Sequence, residues 1–217
     1  MNHIDYSIYN NLELLPLDLQ GWNGNHHIFS DLIKELKPKQ IVEVGSWKGQ
    51  SSVTMAEVVK RENLDTKILC IDTWLGALEF WLTENLNQHE QNERNLLLKN
   101  GYPQIYYQFL SNIVHTNNQN IILPLPLTSA LAAKVLLARN IKAELVYIDA
   151  SHEEDDVYND IVAYWKILSN DGIMFGDDFH TFWPGVQNAV KKFSKQNSIE
   201  YEQVDNFWLM RKKESDA

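Results

Sequence analysis

Short runs of consecutive apolar residues recur along the chain, and the three best-defined runs end at a glycine or an acidic residue. Runs of this kind, rich in Ile, Val and Leu, are typical of strands buried on both faces of a parallel sheet. Three runs are well defined and two are shorter. The predicted strands are Gln40–Gly45, Lys67–Asp72, Ile121–Leu123, Leu145–Asp149 and Ile173–Gly176.

Between these runs, apolar residues recur every three to four positions, which predicts amphipathic helices. One helix includes Ile28 to Leu36 and ends before Pro38, another follows Ser51, a third begins near Val157, and a fourth contains Val186 to Phe193. The third pattern includes Leu168 and leads to Asn170-Asp171-Gly172, which we interpret as a helix stop. Alternation of strands and helices predicts an α/β fold: a Rossmann-like, doubly wound, mostly parallel sheet with helices on both faces.

The end of the chain departs from this alternation. Ile199–Val204 and Asn206–Arg211 are two extended runs joined by a tight Asp205-Asn206 turn, so we expect an antiparallel pair that completes the sheet. A length of 217 residues fits one domain. Within residues 1–217, residues 1–24 form an N-terminal lead, and residues 73–118 form a long polar excursion that we interpret as a lid or substrate insertion.

Composition narrows the classes of partner. The formal net charge of −10 disfavours a broad nucleic-acid surface and docking on anionic membranes, and it favours a small-molecule acceptor. The one cysteine, Cys70, lies in an apolar run and excludes an intrachain disulfide. We find no apolar run of the roughly 18 residues that span a bilayer, so we expect a cytoplasmic protein. Whether it forms a homo-oligomer stays open.

The turn after the first predicted strand carries the first candidate site. It reads Glu43-Val44-Gly45-Ser46-Trp47-Lys48-Gly49-Gln50-Ser51, and its glycines allow a sharp turn and a close approach by a ligand. The dinucleotide pattern of three spaced glycines fails, because Trp47 and Gln50 occupy its second and third positions. Asp72 ends the next strand, about 20 residues on, where an acid that binds a ribose diol is expected.

The pattern Glu43-x-Gly45-x-x-x-Gly49-x-Ser51 resembles the glycine loop of small-molecule O-methyltransferases such as catechol O-methyltransferase. The resemblance covers residues 40–178 and implies S-adenosylmethionine (AdoMet) as cofactor and the strand order 3-2-1-4-5-7-6. It implies that Glu43, Gly45, Trp47 and Ser51 contact the amino-acid part of AdoMet, Asp72 the ribose and Ser129 the adenine. The full expected cofactor set is Glu43, Gly45, Ser46, Trp47, Gly49, Ser51, Asp72, Thr73, Trp74, Ser129 and Asp149.

A second candidate site follows the fourth and fifth predicted strands. Asp149 ends one, Asp177-Asp178 follows the other, and neighbouring parallel strands end at the same edge of the sheet. Three carboxylates converging there would repel one another, and a hard cation such as Mg²⁺ would offset the repulsion. In the resembling families, an acid after each of these strands binds Mg²⁺, which implies Asp149, Asp177 and Asp178 as metal ligands.

The histidine three residues after Asp149 distinguishes two branches of the resembling enzymes. Catechol O-methyltransferases have a lysine at the position of His152, whereas macrolide-sugar O-methyltransferases have a histidine that serves as general base. His152, with Asp149, is therefore our candidate for the catalytic pair, and a histidine is suited to proton removal near neutrality. His180 is a second candidate for the base.

These observations predict an AdoMet-dependent, Mg²⁺-assisted O-methyltransferase that acts on a hydroxyl of a sugar or another cyclic, polyhydroxylated small molecule. Two alternatives stay open. One is a non-catalytic AdoMet-binding module, and the other is a hydroxylase-like relative that uses the same acidic residues.

Overall fold

The computed structural model describes residues 6–82 and 95–213. Its centre is a seven-stranded sheet with the order β3-β2-β1-β4-β5-β7-β6. The first five strands along the chain pair in parallel, and β7 is antiparallel to both β5 and β6. The predicted fold class and strand order are confirmed. The strands are β1 Gln40–Val44, β2 Lys67–Asp72, β3 Ile122–Pro126, β4 Ala143–Ile148, β5 Leu168–Gly176, β6 Tyr201–Val204 and β7 Phe207–Arg211.

The helices of the described residues cover both faces of this sheet. They are α1 His27–Leu36, α2 Gln50–Arg61, α3 Leu78–Trp81, α4 Ile105–His115, α5 Ser129–Ala138, α6 Glu154–Trp165 and α7 Pro184–Asn197, preceded by a 3-10 helix at Tyr6–Tyr9. Strand β1 is buried throughout, with Ile41 facing one core and Val42 the other. One core receives apolar residues of α1, α2 and α4, and the other receives those of α5, α6 and α7. Burial on both faces explains the uninterrupted apolar runs of the strands.

The predicted helix stop at Asn170-Asp171-Gly172 is wrong. Helix α6 ends at Trp165, and Leu168 already pairs with Ala143 in the sheet. The next pair is Leu145 with Ile173, so the residues between Leu168 and Ile173 form a bulge in β5. Asp171 has a φ of 59°, a left-handed conformation that Asp, Asn and Gly tolerate both in bulges and at helix ends. The same residue types therefore fit either element.

The predicted insertion, residues 73–118, divides into parts with different roles. Helix α4 is a core element, because Ile105, Phe109 and Ile113 are fully buried against the sheet. Helix α3 lies at the surface and buries none of its residues. Residues 83–94 of the predicted insertion lie outside the described residues. Helix α4 is therefore part of the core rather than of a lid, and the lid stays a prediction.

Candidate functional site

The glycine loop begins where β1 ends, and its first glycine is tightly packed. Gly45 has a φ of 87° and donates its N–H to the carbonyl of Ile71 on the neighbouring strand, at 2.8 Å. A Cβ at this position would lie 1.9 Å from the carbonyl oxygen of Asp149. Both the backbone conformation and the space therefore require glycine. This packing places the glycine loop directly beside the end of β4.

Glu43 lies beneath the loop and is completely buried. Its carboxylate accepts hydrogen bonds from the hydroxyls of Ser46 (2.9 Å) and Ser51 (2.5 Å), from the Ser52 hydroxyl, and from the Cys70 thiol (3.1 Å). Burial raises the pKa of Glu43, while the hydrogen bonds from the hydroxyls act in the opposite direction. The carboxylate thus fastens the glycine loop to the first turn of α2. Its implied direct contact with AdoMet stays a prediction.

Asp72 joins the glycine loop to the turn after β2. One carboxylate oxygen accepts the backbone N–H groups of Ser46 and Trp47, both at 2.9 Å, and the other accepts that of Trp74 at 2.7 Å. Burial raises the pKa of Asp72, and these N–H groups partly offset the effect. Thr73 is exposed, whereas Trp74 is buried and donates its indole N–H to the carbonyl of Trp47. Six of the expected cofactor residues therefore meet here, namely Gly45, Ser46, Trp47, Asp72, Thr73 and Trp74.

Ser129 begins α5, and its contacts run to α6. Its side chain is hydrogen bonded to Asp160, and its carbonyl accepts the hydroxyl of Tyr164 at 2.9 Å. Burial raises the pKa of Asp160 from 3.8 to about 6, although the Ser129 hydrogen bond lowers it. The structure thus gives Ser129 a structural partner, and its implied contact with adenine stays a prediction.

The predicted acidic residues meet at the carboxyl ends of β4 and β5. Asp149, Asp177, Asp178 and His152 line one cavity of about 10 Å³, a volume suited to a single water or ion. Burial raises the pKa of Asp149 well above its ordinary value, and the charges of Asp177 and Asp178 raise it further. The Tyr147 hydroxyl donates to Asp149 at 2.8 Å and partly offsets the effect. The arrangement concentrates buried acidic groups, and a cation bound among them would favour their charged forms.

The carboxylates do not form a closed ligand cage in this arrangement. Across residues 6–82 and 95–213, only His26, His27 and Asp205 bring three ligand atoms within 4.8 Å of one another. Their geometry is poor for a metal, because Nδ1 of His26 accepts the Ile28 N–H and its Nε2 faces Asp205. The hard oxygen donors at β4 and β5 fit Mg²⁺ chemically, but their side chains would have to rotate to bind it together.

His152 lies between two carboxylates. Its Nε2 is 2.9 Å from Oδ2 of Asp178, and its Nδ1 is 2.8 Å from Oε1 of Glu79. Its ring stacks on Trp183 with centroids 3.8 Å apart and planes 16° from parallel. Burial lowers the pKa of His152, but the hydrogen bonds and charges of Asp178 and Glu79 outweigh it and raise this pKa to about 10. With both neighbours in place, the imidazole is held in its protonated form.

His180 is less favourably placed than His152. Its Nε2 is 3.6 Å from Oδ1 of Asp178, and its Nδ1 accepts the backbone N–H of Phe182 at 3.1 Å. That bond uses one ring nitrogen for local structure. His152 lines the acidic cavity and His180 does not, so the geometry favours His152 as the candidate base.

The N-terminal lead is bound to the glycine loop through three residues that the sequence analysis did not predict, Asp18, Gln20 and Asn112. The buried ammonium of Lys48 is 2.7 Å from Oδ2 of Asp18. The amide of Asn112 in α4 donates to the carbonyls of Lys48 (2.8 Å) and Asp18 (2.6 Å). The indole N–H of Trp47 donates to Gln20 at 3.1 Å. Asp18, Gln20 and Asn112 have no pattern of their own in the sequence, because the loop residues that they contact are 27 to 64 positions away.

Aromatic rings surround the glycine loop on its outer side. Trp47 stacks on Phe80 of α3 with centroids 4.9 Å apart and planes 10° from parallel. Trp22 of the lead lies 5.9 Å from Trp47 and 6.3 Å from Phe80, and it is 59% exposed. Asn23, the next residue, is hydrogen bonded to Asp177. The lead and α3 therefore extend from the glycine loop to the acidic cavity.

Together, the fold and the site define a methyltransferase of the Rossmann-like class. A sequence family described as "Methyltransferase domain" matches residues 42–179. The chain belongs to this methyltransferase family, as the glycine loop predicted. Among curated proteins there is no sequence match.

Solved structures with the same fold carry O-methyltransferase descriptions. A Staphylococcus aureus protein described as a caffeoyl-CoA O-methyltransferase has a TM-score of 0.58 and 14% identity, over 96% of this chain and 88% of that one. An O-methyltransferase from Bacillus cereus, in complex with SAH, has a TM-score of 0.56 and 12% identity, over 92% and 84%. The O-methyltransferase NovP has a TM-score of 0.59 and 12% identity, over 86% and 78%.

At such low identity these structures show the shared fold and do not identify an acceptor. In the described part of the chain, no helix combines the length and apolar character needed to cross a membrane.

Proposed function

We propose that the protein transfers the methyl group of AdoMet to a hydroxyl oxygen of a small cyclic acceptor, a sugar or another polyhydroxylated ring. The observation that carries this proposal is the contact between the two halves of the site. The glycine loop packs directly against Asp149, and Asp149 shares one cavity with His152, Asp177 and Asp178. A methyl donor at the loop and a hydroxyl at the cavity would therefore lie side by side. The family match and the O-methyltransferase descriptions of the fold relatives support the same reaction.

The glycine loop and its supports would hold the cofactor. Glu43 and Asp72 fix the backbone of the loop from below and from the side, so its shape exists before a ligand binds. Such preorganisation lowers the ordering cost of binding and fixes the direction of attack. AdoMet carries the methyl group on a sulfonium sulfur. After the methyl group is transferred, that sulfur leaves as part of a neutral thioether.

Asp149, Asp177 and Asp178 would hold Mg²⁺ after rotation of their side chains. The cation would orient the acceptor hydroxyl and lower its pKa, and it would balance the charge that makes burial of these acids costly. When Asp178 turns away from His152, Nε2 would lose its carboxylate partner and release its proton to solvent, while Nδ1 keeps its contact with Glu79. Nε2 then takes the hydroxyl proton as the oxygen–methyl bond forms and the sulfur–methyl bond breaks.

The shape and charge of the surroundings support a small, ring-shaped acceptor. The exposed indoles of Trp22 and Trp81 offer flat apolar faces of the kind that pack on rings. Trp22 precedes Asn23, which is hydrogen bonded to Asp177. The net charge of −10 argues against a nucleic-acid acceptor.

The test begins with calorimetry of AdoMet binding and continues with S-adenosylhomocysteine production against a panel of hydroxylated sugars and cyclic alcohols, with Mg²⁺ or with EDTA. We expect metal-dependent turnover that falls at least about 100-fold in His152→Ala and in Asp177→Asn. Asp171→Asn, an exposed acid in the β5 bulge, is the matched control and should retain activity. Full metal-dependent turnover by Asp177→Asn would refute the metal assignment. AdoMet binding without turnover on any acceptor would favour a binding module instead.

A further inference from the structure

Glu79 contacts the candidate base from outside the acidic cavity. It lies in α3, 73 positions before His152 in the sequence, and its Oε1 is 2.8 Å from Nδ1 of the imidazole. The residues that line the cavity include His152 and Asp178 but not Glu79. The two ring nitrogens therefore have different surroundings: Nε2 faces the cavity, and Nδ1 faces α3.

The imidazole of His152 has a contact on its ring face as well as contacts at its two nitrogens. Trp183 covers one face of the ring at 3.8 Å, and Phe182 packs edge-on against Trp183 at 5.0 Å. A stacked ring can still turn within its plane or exchange its protonated nitrogen. Once Asp178 has turned away from Nε2, the carboxylate of Glu79 removes this freedom, because it accepts a hydrogen bond only from a protonated Nδ1.

Helix α3 connects this carboxylate with the glycine loop. The residue after Glu79 is Phe80, whose ring stacks on Trp47 of the loop, and Trp81 donates its indole N–H to the carbonyl of Leu75 at 2.9 Å. The position of Glu79 is therefore set by contacts on either side of it rather than by α3 alone, which has only four residues.

We propose that Glu79 is a positioning residue, which keeps a proton on Nδ1 of His152 so that Nε2 presents its lone pair to the acceptor hydroxyl. The inference rests on the proposed function, since it assigns a partner to the same base. During transfer the hydroxyl proton moves to Nε2, the Nδ1 proton stays in place, and the negative carboxylate stabilises the imidazolium that forms. Neither task requires Glu79 to touch the substrate.

The kinetic test compares Glu79→Ala and Glu79→Gln with wild type, and Glu200→Gln, an exposed acid before β6, serves as control. We expect Glu79→Ala to lower kcat about 100-fold with the KM for AdoMet within about twofold, because the residue acts on the base alone. Glu79→Gln should lose less, since its amide oxygen still accepts the Nδ1 proton without supplying charge. Unchanged kcat in a folded Glu79→Ala variant would overturn the inference.

A spectroscopic test does not depend on turnover. Two-bond proton–nitrogen spectra of the histidine rings, with the His152 signals assigned by their loss in His152→Ala, report which nitrogen carries the proton. With Asp178→Ala introduced into each protein to remove the carboxylate at Nε2, we expect Nδ1 to be protonated when Glu79 is intact and in Glu79→Gln, and to lose that proton in Glu79→Ala. A protonated Nδ1 in all three proteins would refute the positioning role. Full turnover by His152→Ala would instead refute the proposed function and leave the spectra to decide the Glu79 contact alone.

Discussion

The buried carboxylate of Asp160 provides a quantitative test of the packing between α5 and α6. Its side chain is only 6% exposed, and its hydrogen-bonding partner is Ser129. Burial disfavours the charged form, and the nearby charge of Asp156 adds to the effect, so the pKa is raised from 3.8 to about 6. The substitution Asp160→Asn keeps the shape and an oxygen that accepts from Ser129, and it removes the ionisation.

The sign of the effect follows from proton binding. Between about pH 4 and pH 6 the unfolded chain gives up the Asp160 proton while the folded protein keeps it, so stability falls as pH rises. Above the folded pKa the full cost is present. A rise in pKa from 3.8 to about 6 corresponds to about 3 kcal/mol. Asp160→Asn should therefore be more stable than wild type by about 1 kcal/mol near pH 4.5 and by about 3 kcal/mol at pH 8.

Urea unfolding of both proteins, followed by tryptophan fluorescence at several values of pH, measures this difference. Asp155→Asn, an exposed acid in the first turn of the same helix, is the control and should change stability by less than about 1 kcal/mol, without the same dependence on pH. An Asp160→Asn advantage that is independent of pH, or that shrinks as pH rises, would refute the argument from burial.

Three further outcomes are expected. Gly45→Ala should abolish detectable AdoMet binding in calorimetry, because its Cβ would meet the Asp149 carbonyl at 1.9 Å; normal affinity would contradict the described packing. Lys48→Met should lower the free energy of unfolding by about 1–3 kcal/mol, since it removes the buried ammonium that pairs with Asp18; unchanged urea unfolding would show that the clamp contributes nothing. Cys70 should resist iodoacetamide in the folded protein at pH 8 and react in urea, as seen by mass spectrometry, because burial and the Glu43 charge raise the pKa of its thiol well above the ordinary value; rapid labelling of the folded protein would contradict this.

The fold was predictable because its determinants are local. Strand β2 occurs at the predicted residues, and β1 and β4 lie within two residues of the predicted bounds, since burial on both faces requires uninterrupted apolar residues. The helix stop at Asn170-Asp171-Gly172 failed for a different reason. Residues that tolerate a left-handed backbone mark a change of direction but do not specify whether a helix ends or a strand bulges.

The candidate site was predictable to the extent that its residues follow strands. Gly45, Asp72, Asp149 and Asp177 each come directly after a parallel strand or end one, and such strand ends meet at one edge of the sheet. Their convergence needs only the topology. The residues that support them come from other parts of the chain and carry no pattern of their own, as with Ser52 and Cys70 around Glu43.

The sequence by itself determined the class of fold, the edge of the sheet where the candidate site residues meet and the types of side chain found there, because periodicity and strand ends are properties of neighbouring residues. Only the tertiary structure decided which partners these side chains have. Glu79 meets His152 across 73 positions, and Asp18 meets Lys48 across 30. Contacts at such separations depend on how α3 and the N-terminal lead pack over the sheet, and that packing is set by the whole folded chain rather than by any local pattern.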